Sequence, residues 1–155
     1  MTVKLAKEVV KLLEDESTLK ILTTVDQDGI PHAVLKQSLY ITEGGNLAYL
    51  ELLETSKTNK NMVNAIWFNR TVAILLSGKN NVSYQVKGIP VKAHISGPVF
   101  EKHYVYVREK FPDGDLAAVW IIEPYEVINQ SYVVRKTAEE EQHPAIKHLD
   151  RLANL

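Results

Sequence analysis

The sequence contains no cysteine, which excludes disulfides, thiolate nucleophiles and cysteine-ligated metal together. An excess of either charge is also missing. Lys and Arg number 18 against 19 Asp and Glu, so the net charge of -1 offers no general attraction to nucleic acid or to an anionic membrane surface. No apolar run approaches the roughly 20 residues that a bilayer-spanning helix needs, and the leading stretch MTVKLAKEVVKLLEDES has no signal-peptide apolar block. The expectation is a soluble cytoplasmic protein with neither nucleic-acid nor membrane partners. Glycine is scarce, and none brackets Ser56-Lys57-Thr58 as the phosphate loop of a nucleoside triphosphatase would require. The histidines His32, His94, His103, His143 and His148 never fall with a second ligand at metal-site spacing, so no metal site is expected. Ser38, Ser77 and Ser96 lack the glycine bracket of a strained nucleophile turn, and hydrolase chemistry has no support.

What is present fits one domain over residues 1–155, enough chain for one sizeable core. Leu5, Val9, Leu12 and Leu13 form one stripe and predict an amphipathic helix over about 3–13. Leu19 to Val25 reads as a strand, the Asp28-Gly29 step as a tight turn, and Pro31 to Thr42 as a second strand pairing back. Lys36, Gln37 and Ser38 are unusually polar for the middle of such a strand; period two puts Lys36 and Ser38 on one face and Gln37 on the other. Asn46 to Leu53 and Thr71 to Leu76 are further strands, and Val82 to Val86 and Val91 to Ser96 are two more around the kink Gly88-Ile89-Pro90. Phe100, Tyr104, Val107 and Phe111 predict a helix. Leu116 to Ile122 is the last core strand, continued past Pro124, and Pro144 opens a helical tail over about 143–154 with Ile146, Leu149 and Leu152 on one side. About six strands in meander-like order, with helices as insertions and ends, make a mainly β fold: an antiparallel barrel with flanking helices.

The stretch Glu54 to Phe68 carries the chemistry. A strand ends there and a helix opens near Ser56 or Thr58, either of which can serve as N-cap. The first N–H groups of a helix lack partners within it and carry partial positive charge, so an anion is stabilised at that point, and Lys57 adds a full charge. Met62, Val63, Ile66 and Trp67 define the expected apolar face, which places Trp67 in the core, as Trp120 is within LAAVWII.

Taken in order, Pro31-His32, NLAYLELL, the helix start Ser56-Lys57-Thr58-x-x-Asn61, TVAILL, Tyr84-Gln85-Val86-Lys87-Gly88 and a late Trp-Ile-Ile-x-Pro strand resemble the FMN-binding split barrels related to pyridoxamine 5′-phosphate oxidase, over about Leu19 to Ser131. The resemblance is greatest to the small FMN-binding proteins of that group. It implies a six-stranded split barrel that dimerises, with FMN in the groove between two subunits. It further implies that Ser56, Lys57, Thr58 and Asn61 hold the phosphate and ribityl end. Lys36, Gln37 and Ser38 would run beside the isoalloxazine ring, Leu52 and Leu53 flank its other edge, and Gln85 reaches in from the facing subunit. Lys36 and Ser38 are the favoured ring-facing pair, Lys36 near the N1–O2 edge. The expected function is an FMN-dependent oxidoreductase of unknown substrate, the catalytic residues being unassigned. The acidic, then amphipathic, C-terminal end departs from the oxidases' basic substrate segment, so pyridoxamine phosphate is not the expected substrate. A non-catalytic flavin- or haem-binding module is the alternative; Lys57 and Thr58 favour FMN over haem, since their use is on a phosphate, whereas His103 or His148 as an axial ligand would favour haem.

Overall fold

The computed structural model describes residues 2–153. Among them the chain runs α1 (Lys7–Glu14), β1 (Leu19–Val25), β2 (Pro31–Leu35), β3 (Tyr40–Ile41), β4 (Leu47–Glu51), α2 (Lys57–Phe68), β5 (Val72–Ser77), β6 (Ser83–His94), α3 (Gly97–Lys110), β7 (Ala118–Asn129), α4 (Tyr132–Gln142) and α5 (Leu149–Leu152). Alternation along each strand decides what faces the interior. Leu22 and Thr24 of β1, Leu47 and Tyr49 of β4, Val72, Ile74 and Leu76 of β5, and Trp120 and Ile122 of β7 all point into one core. Val9 and Leu13 of α1 and Met62 and Ala65 of α2 pack against that core from the helices. Phe100 and Val107 of α3 join a second cluster with Ala48, Leu116 and Val119.

All strand pairs are antiparallel, in the order β2-β1-β5-β6-β7-β4-β3. β2 and β3 are therefore neighbours in sequence yet lie at opposite ends of the sheet. Residues 36–39, which join them, draw the two ends together. The Lys36 N–H donates to Lys20 O at 2.8 Å, the Lys20 N–H donates to Gln37 Oε1 at 2.8 Å, and Gln37 Nε2 donates to Thr18 O at 2.9 Å. On the other side the Leu50 N–H donates to Ser38 Oγ at 3.1 Å. Gln37 thus grips β1 and Ser38 grips β4, and the sheet curls into a barrel. These side chains satisfy strand-edge groups that would otherwise stay unpaired.

The strand expected over 31–42 is consequently two strands separated by a turn, giving seven strands rather than six, and the reasoning that placed Lys36 and Ser38 on one strand face does not apply. In the opposite sense, the two strands expected around Gly88-Ile89-Pro90 are one, β6. Register shifts at Lys87/Gly88 and Pro90/Lys92 absorb the glycine and the proline as bulges. A Cβ on Gly88 would stand 2.7 Å from Ile122 Cγ2 and 2.8 Å from Glu123 O, which explains the glycine. Asn80 and Asn81, with φ of 58° and 59°, supply the consecutive left-handed residues of the tight β5–β6 turn.

The helices also differ from expectation at their ends. α1 begins at Lys7 rather than near residue 3, α4 occupies a stretch to which the sequence pattern assigned no element, and the tail expected over 143–154 is helical only at Leu149–Leu152 within the described residues; Asn154 lies outside them. Trp67 is 76% exposed, contrary to the core position expected of it. Of the expected apolar face, Met62 is buried and Ile66 packs against the core, but Val63 and Trp67 are exposed; Thr58, Asn61 and Ala65 complete the buried face of α2, and the Asn61 amide donates to Thr24 Oγ1 at 3.0 Å.

Candidate functional site

The segment that closes the barrel also forms one wall of a cavity of about 840 Å³, with Leu52 and Leu53 beside it and α3 opposite. That volume lies in the roughly 300–1,000 Å³ range of small-molecule sites. Of the residues expected at the site, Lys36, Gln37, Ser38, Leu52 and Leu53 line this cavity. Ser56, Lys57, Thr58, Asn61 and Gln85 do not.

The polar atoms of Gln37 and Ser38 are already committed to β1 and β4, so these two residues offer the cavity mainly backbone and stem. Lys36 turns inward. Its Nζ donates to Glu51 Oε2 at 2.7 Å and sits 5.2 Å from the centre of the Tyr49 ring. Glu51 has a side chain only 1% exposed, and its other oxygen accepts from the Ser56 hydroxyl. A buried carboxylate needs such partners, and here it joins the cavity wall at Lys36 to the start of α2 at Ser56. The Tyr49 hydroxyl is buried with no hydrogen-bond partner among the described residues, and burial first, then the nearby Glu51 charge, push its pKa well above the ordinary phenol value.

Ser56 is the N-cap of α2, its Oγ accepting the Asn59 N–H at 3.0 Å. The N–H groups of Lys57 and Thr58, in the same first turn, have no partner within the helix, the arrangement that favours an anion at a helix start. Lys57 is half exposed and stands 3.5 Å from Asp26 Oδ2. Asp26 accepts the N–H groups of Ile30 and Asp28 at 2.9 Å each; these bonds, that of Ile30 foremost, with Lys57 beyond them, hold its carboxyl below the usual range. Asn61 is buried and spends its amide on Thr24. Gln85 lies on β6, paired with Leu75 and Ile128.

Among the other residues that line the cavity are Lys20 and Tyr40, which were not expected at the site, and His103, which was considered only as a haem ligand. Lys20 follows the inward face of β1, 5% exposed, and its Nζ reaches Leu39 O at 3.5 Å. Burial lowers its pKa. The Tyr40 hydroxyl and His103 Nε2 share a hydrogen bond of 2.9 Å, with ring centroids 5.4 Å apart. Burial, then Lys102, lowers the His103 pKa, and burial raises that of Tyr40. Period two pointed to Lys20, which alternates with Leu22 and Thr24, and to Glu51, which alternates with Leu47 and Tyr49. No sequence signal couples Tyr40 to His103.

A flavin nucleotide fits this chemistry in two parts. The apolar walls with backbone donors and acceptors at 36–39 suit a planar heterocycle, and the free N–H groups and cation at the α2 start suit a phosphate. No cluster of His, Asp and Glu able to hold a metal exists among the described residues. Nor is any of their helices long and apolar enough to cross a membrane.

No protein-family profile matches the chain, and no curated protein matches it in sequence. Solved structures do match. A candidate pyridoxamine 5′-phosphate oxidase from Lactobacillus delbrueckii is 25% identical, with a TM-score of 0.64 over 81% of this chain and 93% of that one. An FMN-binding protein from Syntrophomonas wolfei gives 14% and 0.64 over 81% and 88%. HutZ, the heme storage protein of Vibrio cholerae, gives 12% and 0.58 over 82% and 95%. The chain has the split-barrel fold of these proteins.

Proposed function

We propose that this chain is an FMN-binding flavoprotein, an oxidoreductase that works in the cytoplasm as a homodimer. The observation that carries the reading is the juxtaposition just described: an 840 Å³ cavity walled by 36–39 and Leu52-Leu53, tied through Lys36, Glu51 and Ser56 to a helix start with two free N–H groups and Lys57. In this reading Lys57, Thr58 and the first turn of α2 hold the phosphate, with Ser56 fixing that turn and Asn61 anchoring the helix to β1. Lys36, Leu52, Leu53 and the backbone of Gln37 and Ser38 hold the ring. Gln85 contributes only across the dimer. When bound, FMN supplies hydride or electron transfer, and the chain supplies binding, orientation and electrostatics. The likeness to an FMN-binding protein of the same fold supports the choice of cofactor.

The dimer is supported by apolar surface at the site itself. Leu35, Leu53 and Phe111 line the cavity yet are 61%, 68% and 51% exposed, and Trp67 and Phe68 stand out at the end of α2. A second copy would cover such surface, and two-fold pairs are the commonest closed assembly. Light scattering is expected to report twice the 17.5 kDa chain mass. A monomer that binds FMN tightly contradicts the shared groove.

A second reading, a haem-binding module, is favoured by one observation. His103 is an imidazole in the cavity wall whose lowered pKa favours the neutral, metal-binding form. The visible spectrum of the purified protein, followed by titration with FMN and with haemin, separates the two. A flavin spectrum and saturable FMN binding are expected; haem binding with no FMN binding overturns the flavin assignment.

A further inference from the structure

Among the described residues Lys20 is a buried cation without a counter-ion. A lysine ammonium has three donors, and among the described residues this one has only the Leu39 carbonyl, at a long 3.5 Å, and no carboxylate within ion-pair distance. Asp15 and Glu16, after α1, act on it only from farther away, and Asp15 is already occupied by the backbone N–H and hydroxyl of Ser17. Leaving a charge so placed is costly unless something pairs with it. The rest of the cavity repeats the imbalance. Lys36 is neutralised by Glu51, but Lys102 and His103 add positive or proton-accepting groups from α3, and no acidic side chain among the described residues lines the cavity. The remaining wall is largely apolar, with Leu13, Leu39 and Phe111 nearest in kind to a hydrocarbon surface.

We infer that the cavity takes a small organic anion with a planar apolar body, its charged group received by Lys20 and its body held between the 36–40 segment and α3. The anion's role as the flavin's reaction partner rests on the flavin reading above; its binding does not. The Tyr40–His103 pair lies in the same wall and offers the anion a second hydrogen-bonding group.

The test uses two fluorescent probes of matched aromatic body, the anion anilinonaphthalene sulfonate and the neutral phenylnaphthylamine, titrated into the full chain with and without saturating FMN. Lys20→Met keeps the stem and removes the charge. It is expected to weaken the anionic probe by about tenfold or more, as the loss of a charge-assisted hydrogen bond does, while the neutral probe and FMN each stay within about twofold. Lys20→Arg restores the anionic probe. The inference is overturned if Lys20→Met leaves the anionic probe unchanged or weakens both probes alike. It is equally overturned, as to the reaction partner, if saturating FMN abolishes anion binding, because the charge then serves the cofactor. A parent protein that binds no FMN removes the flavin reading alone, and the two probes still decide whether Lys20 receives an anion.

Discussion

Replacing Glu51 by glutamine tests whether the Lys36–Glu51 pair anchors the segment that closes the barrel. The carboxylate is 1% exposed, takes the Lys36 ammonium at 2.7 Å and also accepts from Ser56, whereas the Lys36 side chain keeps 18% of its surface. Glutamine can still accept one hydrogen bond, so Glu51→Gln loses mainly the charge-assisted part, about 1.5–3 kcal/mol. It stays below the roughly 3–5 kcal/mol of a fully stranded buried charge because Lys36 can turn toward the cavity and its solvent. Lys36→Met is harsher, since it leaves Glu51 buried with one partner; about 3–5 kcal/mol is expected. The double variant removes both charges and replaces the ammonium with an apolar stem. It should cost about 1 kcal/mol more than Glu51→Gln at most, so the two single effects fail to add by more than about 2 kcal/mol. Urea unfolding of the four proteins measures this, with an unchanged m-value required for the comparison. Additive single effects would mean that the two side chains are not coupled, and the account of how residues 36–39 are held would fall with them.

Other perturbations address the site and the sheet. Lys57→Ala should weaken FMN binding by about 1 kcal/mol, the low end for a charge-assisted contact, because Lys57 is half exposed and already shares Asp26; an unchanged affinity in a fluorescence titration removes it from the phosphate site. Gly88→Ala should destabilise by about 1–3 kcal/mol through overpacking against Ile122 and the Glu123 carbonyl, which denaturant melts will show as a lower midpoint. With FMN bound, Lys36→Met should lower the midpoint potential and Glu51→Gln should raise it, since the pair leaves the ring side neutral and each variant exposes the opposite charge. Shifts of the same sign would place the pair away from the flavin.

The legible part of the fold is the part fixed by short-range pattern. Strand β1 and strand β4, the Asp28-Gly29 turn and the α2 start with its Ser56 cap follow from alternation, positive φ and capping, each settled within a few residues. What escaped was decided between distant segments. Leu35 to Ile41 contains neither glycine nor proline, so nothing local announces the turn at 36–39; it forms because β2 and β3 belong at opposite ends of the sheet. Conversely, Gly88 and Pro90 look like breakers, and β6 runs through them because bulges opposite β7 accommodate both. Part of the α2 face, Met62 and Ile66, follows the pattern, and the rest departs from it for a similar reason. Hydrophobicity favoured Val63 and Trp67, but Asn61 finds Thr24 inside, and a satisfied buried amide can sit where an apolar residue was expected.

The candidate site is hard to read for the same physical cause. Its wall is the closure segment, so Lys36, Gln37 and Ser38 are polar for a reason that does not require a ligand: Gln37 and Ser38 supply strand-edge hydrogen bonds, and Lys36 neutralises Glu51. Polarity in a strand-like stretch is then ambiguous between closure and binding until the partners are known. Lys20 separates the two, because its charge meets no carboxylate among the described residues, only the Leu39 carbonyl at a long 3.5 Å, and lies in the cavity. Effects of substitutions at 36–38 on ligand affinity therefore have to be read beside their effects on stability, whereas an effect of Lys20→Met on an anion, with folding intact, reports on binding alone.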